Sequence, residues 1–219
     1  MQDRLKFLIA DDHPLFRGAL RQALANLDGD PEVIEAGDFE TAKQQIADNA
    51  DLDLVLLDLA MPGGTGLSGL VTVRAAQPDV PVVVVSAHDD APTIRRALEL
   101  GASGFISKSA RMEEIRGAIE KVLAGDIAAP ESVELGVEAD PEISELIKRI
   151  RTLTPQQARV LGMLAEGLLN KQIAYELNVS EATIKAHVSA VLQKLGVDSR
   201  TQAVIQLSRI GGDPLTQPG

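Results

Sequence analysis

Leu54-Val55-Leu56-Leu57-Asp58-Leu59-Ala60-Met61-Pro62-Gly63 is the stretch that decides the fold. Four consecutive apolar residues, closed by an acid and followed by a Pro-Gly turn, read as a strand buried on both faces. Runs over 6–11, 32–36, 81–86 and 104–107 have the same character, clearest in Val82-Val83-Val84-Val85. Helical periodicity fills the intervals at 14–26, 39–48, 66–76, 91–100 and 112–124. Five βα repeats with short connections predict an α/β, doubly wound, five-stranded parallel sheet with right-handed crossovers.

In such a sheet the carboxyl ends of the strands form the ligand-binding edge. Asp58 closes one run and Asp11-Asp12 closes another, so three carboxylates are expected to converge there. Crowded carboxylates repel one another unless a cation neutralises them, and Mg²⁺ with its preference for oxygen ligands suits the place. A carboxylate beside a metal is a site for accepting a phosphoryl group. Ser86 ends a third strand and Lys108 follows a fourth, supplying a hydroxyl and an ammonium for phosphoryl oxygens. A lone aspartate at a strand end is commonly only a cap or turn former. The five residues together make that reading untenable.

The net charge of −11 conceals a division. Residues 1–124 carry 12 Lys+Arg against 20 Asp+Glu, residues 125–150 carry 2 against 7, and residues 151–219 carry 7 against 5. An acidic first part and a mildly basic last part predict two domains with different partners, 1–124 and 151–219, joined by an acidic linker over 125–150. The linker is marked by Gly125, Pro130, Gly136 and Pro141, with a short helix over 143–151. With no cysteine there is no disulfide framework or thiolate metal site. The opening Met1-Gln2-Asp3-Arg4 is not a signal peptide, and no apolar stretch reaches membrane-spanning length. The expectation is a cytoplasmic protein with no membrane partner. His13 and His88 have no second imidazole or thiol at ligand spacing, which argues against zinc.

Beyond residue 153 the strand pattern ends. Thr154-Pro155 opens a helix that Gly167 closes. A short helix over 171–177, the turn Asn178-Val179-Ser180, a helix over 181–195 ended by Gly196, and a last helix over 200–210 follow. Two helices joined by a tight turn between scaffold helices make an all-α, four-helix helix-turn-helix unit. Ile184, Val188, Val191, Leu192 and Leu195 share one face of the third helix. The opposite face shows Lys185, Ala186, Ser189 and Gln193, short or polar enough to enter a major groove.

The motifs Asp11-Asp12, Asp58 through Gly63, Ser86-Ala87 and Gly101-Ala102-Ser103-Gly104-Phe105-Ile106-Ser107-Lys108 resemble the flavodoxin-like receiver domain of two-component response regulators. The resemblance implies that Asp58 takes a phosphoryl group from a sensor histidine kinase. It implies Mg²⁺ held by Asp11, Asp12, Asp58 and the backbone carbonyl of Ala60. Ser86 and Lys108 would bind the phosphoryl oxygens, and Phe105 would turn inward as Ser86 moves. Phe105 departs from the tyrosine common there, and Ser109 from a common proline. Ala60 and His88, two residues after Asp58 and Ser86, stand where such domains tune dephosphorylation.

The segments 153–174, 179–188 and 194–197 look like the LuxR-type DNA-binding domain, which places the whole chain with the NarL/FixJ type of response regulators. The resemblance implies base contacts from Lys185, Ala186 and Ser189. It makes Thr183, His187, Asn170, Lys171 and Arg200 candidates for phosphate contacts or for bracing the helix. Double-stranded DNA bound by a homodimer through the last helix, and RNA polymerase, are the further partners implied. Two departures stand out. Gln157 replaces a usual glutamate, which is expected to loosen an ion pair. Leu169 replaces a usual serine, with Asn170 a substitute cap. At rest the acidic receiver is expected to cover the recognition helix and compete with DNA phosphates. The rival readings are control without phosphorylation and a phosphohydrolase working through an aspartyl phosphate. The second lacks the carboxylate that such enzymes carry two residues after the nucleophile, since Ala60 sits there.

Overall fold

Strands β1 (Lys6–Ala10), β2 (Glu32–Ala36), β3 (Leu54–Asp58), β4 (Val82–Ser86) and β5 (Gly104–Ser107) form one parallel sheet in the order β2-β1-β3-β4-β5. This is the architecture of the computed structural model, which describes residues 4–25, 27, 31–64, 66–130 and 140–211. Helices α1 (Pro14–Ala25), α2 (Phe39–Asp48), α3 (Leu67–Ala76), α4 (Ala91–Glu99) and α5 (Met112–Leu123) alternate with the strands.

Side chains on a strand alternate between faces, and here the alternation sorts the core into two halves. Phe7, Ile9, Leu54, Leu56, Val83, Val85 and Ile106 pack with α1 and α5. Leu8, Ala10, Val55, Leu57, Val82, Val84 and Phe105 pack with α2, α3 and α4. Because both faces are covered, the strands carry apolar residues at successive positions. Strand order reverses between β1 and β3, so Asp11 and Asp58 lie at the switch point where α/β sheets bind ligands.

β5 would leave an open edge, and residues beyond α5 cover it. The Phe105 N–H donates to the Ala128 carbonyl (2.8 Å) and the Ala128 N–H to the Ser103 carbonyl (3.0 Å). Gly104 permits this approach, because a Cβ there would lie 3.0 Å from the Ala128 carbonyl oxygen. The middle of the expected linker, 131–139, and the tail 212–219 lie outside the described residues.

Helices α6 (Pro141–Arg151), α7 (Pro155–Ala165), α8 (Asn170–Glu176), α9 (Glu181–Leu195) and α10 (Arg200–Gly211) follow. Asp140 extends α6 two residues earlier than its periodicity indicated, by accepting from the Glu142 and Ile143 N–H groups. Thr154 and Gln157 cap α7 reciprocally, Ser180 caps α9, and Gly196 ends α9 in the left-handed region. Val160, Leu164, Ile173, Ala174 and Ile184 form the small core under the helix pair α8–α9.

The two regions share apolar packing. α3 is covered on both sides: Leu67, Ser68, Gly69, Leu70, Val71, Val73 and Ala75 are all buried. One side lies on the sheet and the other on α7 and α10, where Ala158, Leu161, Ala203, Leu207 and Ile210 join the same core. The helices approach so closely that a Cβ at Gly162 would collide with the Thr72 hydroxyl. Lys43 pairs with Glu166 at 2.9 Å, and Arg96 Nη1 donates to the Ile210 carbonyl at 3.3 Å. The expected cover over the recognition helix is therefore not what the chain adopts. The Lys185 side chain is 64% exposed, and Ala186 and Ser189 are exposed as well. The recognition face is polar and offers little apolar area to bury, whereas the α7–α10 surface matches the small outer residues of α3.

Candidate functional site

Asp58 ends β3 with its side chain buried, and Asp11 follows β1 equally buried. Lys108 comes from the loop after β5 and places Nζ 2.8 Å from both Asp58 Oδ2 and Asp11 Oδ2. Asp58 Oδ1 accepts from the Ala60 N–H at 3.0 Å. Burial pushes the Asp58 carboxyl above the ordinary carboxylate range, against the pull of Lys108 and the Ala60 N–H. Burial also pulls on Lys108, but Asp11 and Asp58 outweigh it and hold the ammonium above the usual lysine range. The site thus keeps a fixed cation beside a carboxylate that is reluctant to ionise. That arrangement suits the arrival of further charge.

Asp12 lies at the same edge, partly exposed. Asp11, Asp12, His13 and Asp58 each bring one ligand atom into a group spanning no more than 4.8 Å, a cluster able to hold a metal ion. Ser86 is buried at the end of β4, and its Oγ accepts from the His88 N–H at 3.0 Å. Phe105 is buried in the core half shared with α4. The sheet therefore assembles every strand-end residue named from the sequence. One contact went unread: Ser107 Oγ donates to Asp89 Oδ2 at 2.6 Å, tying the end of β5 to the loop before α4. His13, expected from its adjacency to Asp12 to lie in the loop by the acidic pair, does so and turns its imidazole toward the carboxylates. Among the described residues no peptide bond is cis, that between Lys108 and Ser109 included.

In the helical region Thr183, Lys185, Ala186 and Ser189 are exposed on α9, while His187 is half-buried. Thr183 is held by Ser180, whose Oγ accepts from its N–H at 3.1 Å. Lys185 pairs with Glu181 at 3.1 Å, one turn away. Lys171 is exposed on the first turn of α8 and Asn170 half-buried. Arg200 turns inward, where Nη2 donates to the Leu164 and Leu168 carbonyls, so it braces α7 rather than facing outward. Asn170 does not act as the substitute cap, because it is already the first helical residue. The free Leu169 N–H instead donates to Gln172 Oε1 at 2.7 Å. Gln157 keeps the contact that its lost charge put at issue: Lys194 Nζ donates to its Oε1 at 2.8 Å and to the Thr152 carbonyl at 2.7 Å.

Comparison with known proteins accounts for both halves. The response regulator receiver domain model matches residues 7–120, and the model of the luxR family of bacterial regulatory proteins matches 151–207. The glycerol metabolism activator of Pseudomonas putida is 42% identical over 213 residues, covering 94% of this chain and 96% of its own. The nitrate/nitrite response regulator NarL of Escherichia coli K12 is 30% identical over 208 residues, with 93% and 95% covered. Among solved structures, RcsB of Salmonella enterica serovar Typhimurium, bound to a promoter in the presence of phosphomimetic BeF3⁻, aligns with a TM-score of 0.54 at 26% identity. That alignment covers 95% of this chain and 100% of the other. With its strand-end carboxylates on one region and a capped recognition helix on the other, the chain belongs to the two-component response regulators that join a receiver domain to a luxR-family DNA-binding domain.

Proposed function

We propose that Asp58 accepts a phosphoryl group from a sensor histidine kinase and that this modification controls sequence-specific DNA binding by α8–α9. The observation that carries the reading is the Lys108 ammonium, 2.8 Å from both Asp58 and Asp11 at the switch point of the sheet. An Asp58 oxygen attacks phosphorus in line, the bond from phosphorus to the donor nitrogen breaks, and a mixed carboxylic–phosphoric anhydride forms on Asp58. Lys108 then exchanges part of its contact with Asp58 for a phosphoryl oxygen, and Ser86 Oγ donates to another. Asp11, Asp12, Asp58 and the Ala60 carbonyl are the oxygen set suited to Mg²⁺, which when bound would neutralise the developing charge.

The rearrangement of Ser86 carries the signal outward. Its Oγ leaves the His88 N–H, which frees the loop leading into α4, and α4 carries the Arg96 contact to α10. A ligand shifts a conformational equilibrium only by its differential affinity for the two states, and these phosphoryl contacts provide it. We assign Lys185, Ala186 and Ser189 to base edges and Thr183, Asn170, Lys171 and His187 to the backbone of double-stranded DNA, with Arg200 bracing α7. Two copies would meet on a two-fold site through α10, where Ile205 is 48% exposed, and RNA polymerase would be the downstream partner. On this reading the boundaries 1–124, 125–150 and 151–219 mark receiver, acidic linker and DNA-binding domain.

The test is selection from genomic DNA fragments with and without acetyl phosphate and Mg²⁺, using the native chain and Asp58→Ala. Enrichment confined to the phosphorylated native chain is expected. Equal enrichment in every arm would favour control without phosphorylation, and steady turnover of acetyl phosphate would favour the phosphohydrolase.

A further inference from the structure

The loop between β4 and α4 is tied to the end of β5 by side chains that the chemistry above does not use. The Lys108 N–H donates to the Ser86 carbonyl at 2.8 Å, and beyond Ser86 the chain leaves the sheet. Ala87, His88, Asp89 and Asp90 are all exposed. Asp90 faces forward and caps α4, accepting from the Thr93 N–H at 3.0 Å and the Thr93 hydroxyl at 2.7 Å. Asp89 faces back, and its Oδ2 accepts from Ser107 Oγ at 2.6 Å. That separation is the one expected of a hydroxyl donating to an ionised carboxylate, which is stronger than a bond between neutral groups.

A serine hydroxyl has one proton to give and two lone pairs to fill. Ser107 gives its proton to Asp89, so it accepts from the Ser109 N–H at 3.1 Å and from Ser109 Oγ at 2.7 Å. The run from Ser109 through Ser107 to Asp89 therefore points one way, and each bond polarises the next. Lys108 lies between the two serines, anchored by Asp58 and Asp11. One end of the run is thus fixed to the carboxylate site and the other to the loop that precedes α4. The same loop is held by the His88 N–H bond to Ser86 Oγ. When Ser86 turns to a phosphoryl oxygen that bond is lost, and the Asp89–Ser107 bond is left to resist the movement of the loop.

We propose that Asp89 and Ser107 form a latch on the resting state, which must open before the β4–α4 loop can follow Ser86 and carry α4 with it. The proposal rests on the reading of Asp58, Ser86 and Lys108 as the phosphoryl site. Neither latch residue touches the phosphoryl group, and both act through the position of Ser86. A site whose competent state is scarce binds more weakly in proportion, so removing the latch tightens binding at Asp58. A serine that only supported Lys108 would do the opposite when removed, because the ammonium would lose its placement. The sign of the effect separates the two roles.

The experiment is a ¹⁹F NMR titration of the full chain with the phosphoryl analogue BeF3⁻ in the presence of Mg²⁺, reading the bound signal. Ser107→Ala and Asp89→Ala are each expected to bind BeF3⁻ about fivefold more tightly than the native chain, the worth of one charged hydrogen bond weakened by exposure to water. The two substitutions together should gain no more than either alone, since they remove the same bond. In a Ser86→Ala background, where no hydroxyl follows the analogue, the gain should vanish. Either single variant answers if the other fails to fold. Unchanged or weaker binding, or a gain that survives Ser86→Ala, would overturn the latch while leaving the phosphoryl site standing. A native chain that shows no bound BeF3⁻ would remove that site, and the latch with it.

Discussion

Lys108 and Asp58 make opposite contributions to stability although they touch. Asp58 has a folded-state pKa above its ordinary value, chiefly through burial. Such a group contributes its full stability below the unfolded pKa and loses it as pH rises through the folded pKa. At neutral pH without divalent ions the ionised carboxylate is therefore a burden. Asp58→Asn should raise Tm by about 2–4 °C, the response of a chain this size to ~1 kcal/mol, and the gain should shrink as the pH falls toward the carboxylate range. A calorimetric pH series reads this, and a gain that is constant with pH would contradict it. Lys108→Met should act the other way, leaving Asp11 and Asp58 to face each other. Its cost should be about 1.5–3 kcal/mol in urea unfolding, the range for hydrogen bonds to charged groups. Lys108, Asp58, Asp11 and Ser86 were all legible as strand-end residues, because strand periodicity alone carries them to one edge. The inward turn of Arg200 onto the Leu164 and Leu168 carbonyls was not, since an arginine at a helix start reads equally as a phosphate contact.

Helices and strands here begin and end where local hydrogen bonds dictate, and so the elements were largely legible in advance. α9 is the case with functional weight. Ser180 Oγ accepts from the Thr183 N–H and also contacts Thr183 Oγ1 at 2.8 Å, organising the turn that would approach a phosphate. Ser180→Ala should cost about 1 kcal/mol and speed amide exchange in the first turn of α9 while leaving α10 unchanged. Exchange that is unaltered at Thr183 would mean that packing of Ile184 alone holds the turn. The start of α8 defeated the sequence reading for a local reason. A leucine at the capping position supplies no acceptor, and Gln172, three residues on, reaches back to the Leu169 N–H instead. The cover of the β5 edge by Ala128 was equally unreadable, because a single bridge leaves no periodic trace.

At the scale of the whole molecule the decisive contact is α3 against α7. Gly162→Leu would drive a side chain into Thr72 and force the helices apart, while Val160 and Leu164 keep the helix-turn-helix core intact. Small-angle scattering should then show a radius of gyration several ångströms above the roughly 17 Å of a compact chain of this length. Circular dichroism should be unchanged. An unaltered scattering curve would show that the interface absorbs the leucine and is not a tight junction. If opening this junction is the switch, the same variant should bind DNA without acetyl phosphate.

The sequence by itself determined the five-stranded sheet, the carboxylates at its edge and the helix-turn-helix unit. Each of these follows from periodicity, caps and turns, whose interactions span a few residues. Tertiary structure alone decided that the receiver holds the DNA-binding region through α7 and α10, and that it leaves the outer face of α9 exposed. Those outcomes depend on shape and small-residue fit between segments far apart in the chain, as with Thr72 and Gly162. No local pattern records such a fit, because serine, threonine, alanine and glycine on a helix read as solvent-facing until a second helix is packed against them.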